Sequence, residues 1–235
     1  MTDDAVRAAE RRAVVRQSLS VGLATSAYGV SFGALSVASG FDLGQTMCLS
    51  LLLFSGGSQF ALIGIVAAGG SGAAAVATSS LLGVRNGLYG LQVARILDNR
   101  GGWRLLAAHL TIDESTAVAV AQTTPRGRRL GFWVTGAVVF TGWNVTTLLG
   151  ALLGNALGDP RTYGLDAAAA AAFLALLWPR LRSREAAATG VAAALLAAGL
   201  SPATPPGVPV LVAAVAALAV GAWAHRGDAT REHVQ

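Results

Sequence analysis

Apolar residues run along this chain in long blocks, separated by short connectors that carry arginine. The blocks cover roughly residues 17–39, 45–68, 72–94, 104–122, 131–154, 164–179, 186–200 and 208–224. A helix rising about 1.5 Å per residue needs about 20 apolar residues to cross a hydrocarbon layer roughly 30 Å thick. The seventh and eighth blocks are short, and His109, Asp113 and Glu114 interrupt the fourth. The pattern predicts an all-α polytopic membrane protein with about eight transmembrane helices. Residues 1–16 form a hydrophilic N-terminal tail, 17–224 the membrane domain and 225–235 a C-terminal tail. The first apolar block is too long for a signal peptide's core of about 7–15 residues and is expected to be retained as a span.

Polar positions inside the blocks carry the functional information. Phe54-Ser55-Gly56-Gly57-Ser58-Gln59-Phe60 places glycines, hydroxyls and an amide where a lipid-facing helix favours leucine. Helix-weakening residues at mid-depth survive only where protein or a wet cavity covers them. The stretch is therefore expected to wall a pocket. Extended to Gly64, it aligns with Phe140–Gly150 at an offset of 86 residues, with Phe, Gly, Leu and Gly in common. That offset predicts a 3+3 inverted repeat, residues 17–94 and 104–179, followed by accessory helices over 186–224. Inverted repeats of this kind hold substrate between broken helices at the midplane. Gly29/Gly33 and Gly150/Gly154 form G-x-x-x-G pairs, which predict close helix packing.

Composition agrees with the membrane assignment. Hydrophobic residues make up 54% of the 235 and charged residues 12%, with mean hydropathy +0.57. A soluble domain carries about 25% charge. The net charge of +5 sits on arginines in connectors, the mark of cytoplasmic loops and not of nucleic-acid binding. A cell-membrane location with a cytoplasmic N-terminus follows. With eight full crossings, clusters 7–16, 126–129, 180–184 and 226–231 fall inside, but Arg95, Arg100 and Arg104 fall outside, against the charge bias. Were segments three and four re-entrant hairpins, every cluster would be cytoplasmic. The repeat favours full crossings, and these are the expectation.

Gln59, Arg85, Asn86, Asp113, Glu114, Trp143 and Asn144 all fall near the middle of their segments. Four segments thus bring polar groups to one layer, fit for a zwitterion. Arg85 and helix N-termini would face a carboxylate. Asp113 or Glu114 would face an ammonium group or, neutralised by desolvation, carry a proton. Phe54, Phe60, Tyr89 and Trp143 would take an apolar side chain, and Ser58 would add a hydroxyl. Structural roles stay open beside these: an ion pair for Arg85, caps of a helix break for Asp113 and Glu114, an interhelical hydrogen bond for Asn86. Asp166 is expected to cap the helix after it, and Trp103, Trp178 and Trp223 to anchor at the membrane interface.

Other chemistries are poorly supported. The chain lacks a phosphate-binding G-x-x-x-x-G-K-[ST] loop and an H-E-x-x-H pair, and Cys48 is its sole cysteine. No metal, cofactor or enzymatic activity is expected. An intramembrane hydrolase using Ser58 and His109 lacks the glycine pattern of a nucleophile elbow. A non-transporting scaffold has no need of buried charges. Transport of a different small solute stays open.

The chain resembles the AzlC-type branched-chain amino acid exporters. Phe54-Ser-Gly-Gly-Ser-Gln-Phe60 is similar to the family's F-x-G-x-x-Q-F stretch, and Arg85-Asn-Gly-Leu-Tyr-Gly90 to its N-x-R-H-x-x-Y-G stretch. Thr111-Ile-Asp-Glu114 resembles its T-D-E element, and Asp166 with Phe173–Leu177 its D-F-x-x-x-A-x-F-x-A-L-L run. The resemblance covers about residues 17–200. It implies export of valine, leucine, isoleucine and sometimes methionine, with a small AzlD-type membrane partner. Gly83 stands where the family has Asn, Asn86 where it has His, and Ile112 is inserted in the T-D-E element. Without a histidine at 86, the proton role passes to Asp113 or Glu114.

Overall fold

The computed structural model describes residues 3–157 and 181–217, with Leu174, Leu177 and Trp178 between them. The described residues are helical, without strands. Helix α1 spans Asp3–Ala38, α2 Leu43–Leu52, α3 Gly57–Ala67 and α4 Gly72–Leu97. Helix α5 spans Gly102–His109, α6 Asp113–Val120 and α7 Pro125–Leu157. Then come α8, Arg184–Leu200, and α9, Val208–Ala217. The starts follow local chemistry. Asp42 accepts from the Gln45 amide at 2.8 Å and Ser71 from that of Ala74 at 3.2 Å, capping α2 and α4. Helix α7 opens on Pro125, a residue preorganised for the first turn. The α4 helix stops at Asp98, whose φ of +47° is left-handed.

The helices α1 and α7 form the spine. Among the described residues they are the two long and apolar enough to cross a membrane. Their contacts advance together, Gly22 on Val138, Gly29 on Thr146, Gly33 on Thr147 and Val30 on Gly150, so the two run parallel. Both G-x-x-x-G pairs lie in this crossing. A Cβ at Gly33 would sit 2.0 Å from the Thr147 carbonyl oxygen, and one at Gly150 2.0 Å from that of Val30. Glycine is therefore required for the close approach.

The second and fourth apolar segments are not continuous crossings. Residues Leu53–Gly56 break the second into α2 and α3, and Leu110–Ile112 break the fourth into α5 and α6. Both pairs fold back. Helix α2 starts at the far end of α1, where Thr46 Oγ1 lies 2.8 Å from Ser36 Oγ. It descends to Phe54, whose ring meets Phe140 at 5.1 Å, midway along α7. Helix α3 then returns outward, with Phe60 against Phe32 at 5.7 Å. The other hairpin enters from the opposite face. Trp103 meets Trp133 at 5.7 Å near the start of α7, and His109 meets Phe140 at 5.5 Å. Helix α6 retraces that path, from Glu114 beside Thr25 to Gln122, which donates to Gln17 at 3.0 Å. Between the hairpins α4 packs chiefly on α3 and touches α6 and α7 more lightly. Arg85 lies at the tips, and the Ile96 carbonyl accepts from Arg129 at 3.3 Å.

These paths correct two expectations. Eight full crossings do not survive, because two of the eight segments turn back at mid-depth. The arginines at 7–16, 95–104 and 126–129 consequently share one face, the near face, as the charge bias favours. The hairpins fall at segments two and four, and segment three runs through. The expected second break at Phe140–Gly150 is also absent, since those residues are uninterrupted α7 helix. What recurs is the order hairpin then long helix: α2–α3–α4 and α5–α6–α7, entering from opposite faces. Residues 158–173, which include Asp166, and Trp223 lie outside the described residues.

Beside an aromatic and aliphatic core that includes Phe32, Ile63 and Phe132, burial departs from that of a water-soluble protein. Ser18, Ser36, Thr46, Ser50, Thr78, Thr135 and Thr147 are buried, whereas Leu23, Leu52, Leu88, Leu91 and Leu105 are exposed. Small hydroxyl residues let helices approach, and leucine faces a surrounding as apolar as itself. The fold is that of a helical membrane protein.

Candidate functional site

The two hairpin tips meet between α1, α4 and α7, around a small, partly enclosed cavity. Its wall includes Thr25 and Tyr28 of α1, Phe54–Gly57 and Phe60 of the first hairpin, and Arg85 of α4. Ile112, Asp113 and Glu114 of the second hairpin and Val139 and Trp143 of α7 complete it. The space is about 60 Å³. That holds a water or two at about 30 Å³ each, far below the roughly 300–1,000 Å³ of an open ligand pocket.

Each break exists because a side chain three residues into the following helix ties it. Gln59, fully buried, accepts from the Gly56 amide at 3.1 Å and donates to the Leu49 carbonyl at 2.9 Å. Ser115, equally buried, accepts from the Ile112 amide at 3.1 Å and donates to the Leu110 carbonyl at 2.7 Å. These bonds replace helix bonds that each break forfeits. Gly56 also needs its glycine, because its φ is +49°.

Helices α3 and α6 both begin at the cavity, and the residue just before each, Gly56 or Ile112, offers no side-chain cap. Two positive helix ends thus point at one place from opposite faces. They differ in what surrounds them. Helix α6 carries Asp113 and Glu114 in its first turn, whereas α3 carries no acid there. Arg85 spans the two tips. Its guanidinium donates to Asp113 Oδ2 at 3.1 Å and to the Ser55 carbonyl at 3.3 Å. Its buried Nε has no protein partner, nor does the buried indole N–H of Trp143. Glu114 accepts from Thr25 at 3.4 Å.

Of the predicted residues, Phe54, Phe60, Arg85, Asp113, Glu114 and Trp143 line this cavity. Ser58, Gln59, Asn86, Tyr89 and Asn144 do not. Ser58 lies behind the tip, its hydroxyl 3.1 Å from that of Ser55, and Asn86 donates to the same Ser55 hydroxyl at 3.2 Å. Asn144 donates to the Phe140 carbonyl one turn back in its own helix. His109 packs on Phe54 and Phe140, and nothing pairs it with Ser58 as a hydrolase would need. Sequence reading missed Thr25 and Tyr28, although both are polar and lie in the first apolar segment. It also missed Ser115, whose role shows only once the break is located.

The comparisons fit this picture. Residues 20–157 match the family model described as AzlC protein, a stretch running from α1 to the end of α7. A protein of Archaeoglobus fulgidus named "Uncharacterized membrane protein" is 34% identical over 169 residues, which is 70% of this chain and 74% of that protein. No solved structure matches. A match over more than half the length, on the segment that builds the spine, both hairpins and the cavity, places the chain in the AzlC family.

Proposed function

We propose that this chain is a secondary transporter that exports branched-chain or similar apolar amino acids across the cell membrane. The family is one generally associated with amino acid transport. The observation that carries the reading is the pair of half-helix N-termini meeting at Arg85, with acids on one side only. A substrate carboxylate binds at the Gly56–Gly57 end of α3, where no acid competes, within reach of Arg85 and the Trp143 indole. Its ammonium group turns to Glu114, since Asp113 already holds Arg85. An aliphatic side chain lies among Phe54, Phe60, Val139 and Trp143.

The cavity is too small for such a solute, so one hairpin must withdraw to admit it. Withdrawal of α2–α3 opens the site to the far face, and withdrawal of α5–α6 to the near face. Alternation between the two is alternating access about a fixed midplane site. The arginine-bearing near face is cytoplasmic by charge bias, which puts the N-terminus inside. Asp113 or Glu114 is the candidate proton carrier. A small AzlD-type membrane subunit is the expected partner, with the exposed leucines of α4 available to it or to lipid.

Counterflow of labelled leucine into proteoliposomes tests the reading, because only a saturable carrier produces it. Glu114→Gln and Trp143→Ala are each expected to lower counterflow roughly tenfold or more, the effect of losing one charge-assisted hydrogen bond or one apolar wall. Wild-type rates in both variants would overturn the proposed site.

A further inference from the structure

A second cavity lies on the near face, where α1 and α7 emerge from their apolar stretches. It measures about 720 Å³ and is lined by Arg7, Glu10 and Arg11 of α1, Arg126 of α7, and apolar groups including Val14 and Leu130. Three arginines face one acid. That acid is occupied, since Glu10 accepts a hydrogen bond from the Thr124 hydroxyl, which in turn accepts from the Gly127 amide at 2.9 Å. Arg11 and Arg126 are exposed and make no hydrogen bond or ion pair among the described residues. The cavity floor is Val14, which is buried.

We propose that this cavity binds the headgroup of an anionic phospholipid. Arginine matches a phosphodiester with paired N–H donors, and basic pockets between spans on the cytoplasmic side suit such headgroups. The level agrees, because Arg11 and Arg126 lie six and five residues before the apolar segments beginning at 17 and 131. The walls decide between sources of phosphate. A free phosphate ion satisfies the arginines but leaves the apolar lining wet, whereas a lipid lays its glycerol and upper acyl chain along Ala8, Pro125 and Leu130. The site is remote from the hairpin tips and independent of the solute carried. It would brace the near ends of the two spine helices, tying their spacing to the lipid around them.

Native mass spectrometry of the purified full chain, titrated with phosphatidylglycerol, phosphatidylcholine or inorganic phosphate, tests this. Phosphatidylglycerol is expected to bind more tightly than phosphatidylcholine and to resist displacement by equimolar inorganic phosphate. The double variant Arg11→Gln/Arg126→Gln is expected to weaken phosphatidylglycerol binding roughly 25-fold, about fivefold for each arginine. Arg16→Gln, on an exposed α1 residue outside the cavity, should leave binding unchanged. Equal binding of the two lipids, displacement by inorganic phosphate, or equal losses in the double variant and Arg16→Gln would each overturn the proposal. All variants alter exposed side chains, and a monodisperse, folded sample is confirmed by circular dichroism before titration.

Discussion

Gln59 shows how much one side chain's surroundings decide its role. From the sequence it reads as a polar group available to solute. In the fold both ends of its amide are spent on the backbone, with no surface left for a ligand. Gln59→Leu is expected to destabilise the protein by about 1–3 kcal/mol, the cost of a buried amide left unpaired. Thermal unfolding of the purified protein measures it. A variant that unfolds like wild type but no longer binds leucine would return Gln59 to the solute site. Ser115→Ala, which strips the equivalent tie from the other hairpin, is expected to cost a similar amount. Equal losses at two positions so different in sequence would mark them as counterparts.

Among the elements, the spine depends on the absence of side chains. Gly33→Leu would drive a Cβ into the Thr147 carbonyl, forcing α1 and α7 apart. Overpacking of this kind costs about 1–3 kcal/mol or more, so the variant should unfold at lower temperature. Gly64→Leu is the control, because a Cβ there meets nothing within 4 Å. If the two variants unfold alike, the crossing is not held by close approach.

The legibility of the elements follows the same logic. Gly33 and Gly150 announced the crossing because a packing motif needs only local spacing. The break at Leu53–Gly56 was legible because glycines and hydroxyls are conspicuous among leucines. The break at Leu110–Ile112 was marked only by its neighbours: His109, Asp113 and Glu114 interrupt the segment and offered caps for a break, but Leu110 and Ile112 themselves look like any apolar run. Ile112 is extended there, at φ −129° and ψ 174°, a conformation natural to a β-branched residue yet invisible in hydropathy. The match between 54–64 and 140–150 misled because Gly and Leu recur by composition alone. Direction was hardest to read. A helix pair that turns back has the same apolar content as one that crosses, and only contacts such as Trp103 on Trp133 reveal the return.

For the whole molecule, the re-entrant hairpins make a prediction about sidedness. Cys48 is exposed and must first be replaced by serine. In that background Arg100→Cys, in the α4–α5 connector, should react with an impermeant thiol reagent from the face that carries the N-terminal tail. Ala68→Cys, at the end of α3, should react from the other face. Labelling of both from one side would refute the hairpin topology. The arginine distribution already held this answer, because an outside connector bearing Arg95, Arg100 and Arg104 was the price of eight crossings.

Arg85 touches both hairpin tips at once, and this bears on permeability. A carrier differs from a channel in never having both gates ajar together. A single guanidinium with one hand on each tip can release one while retaining the other, so the retained gate stays shut as its opposite number swings away. Arg85→Ala removes that interlock. Its expected signature is passive leakage of small ions through vesicles holding the variant, alongside lost leucine counterflow. A variant that transports poorly yet stays watertight would mean that the barrier between the two sides lies elsewhere.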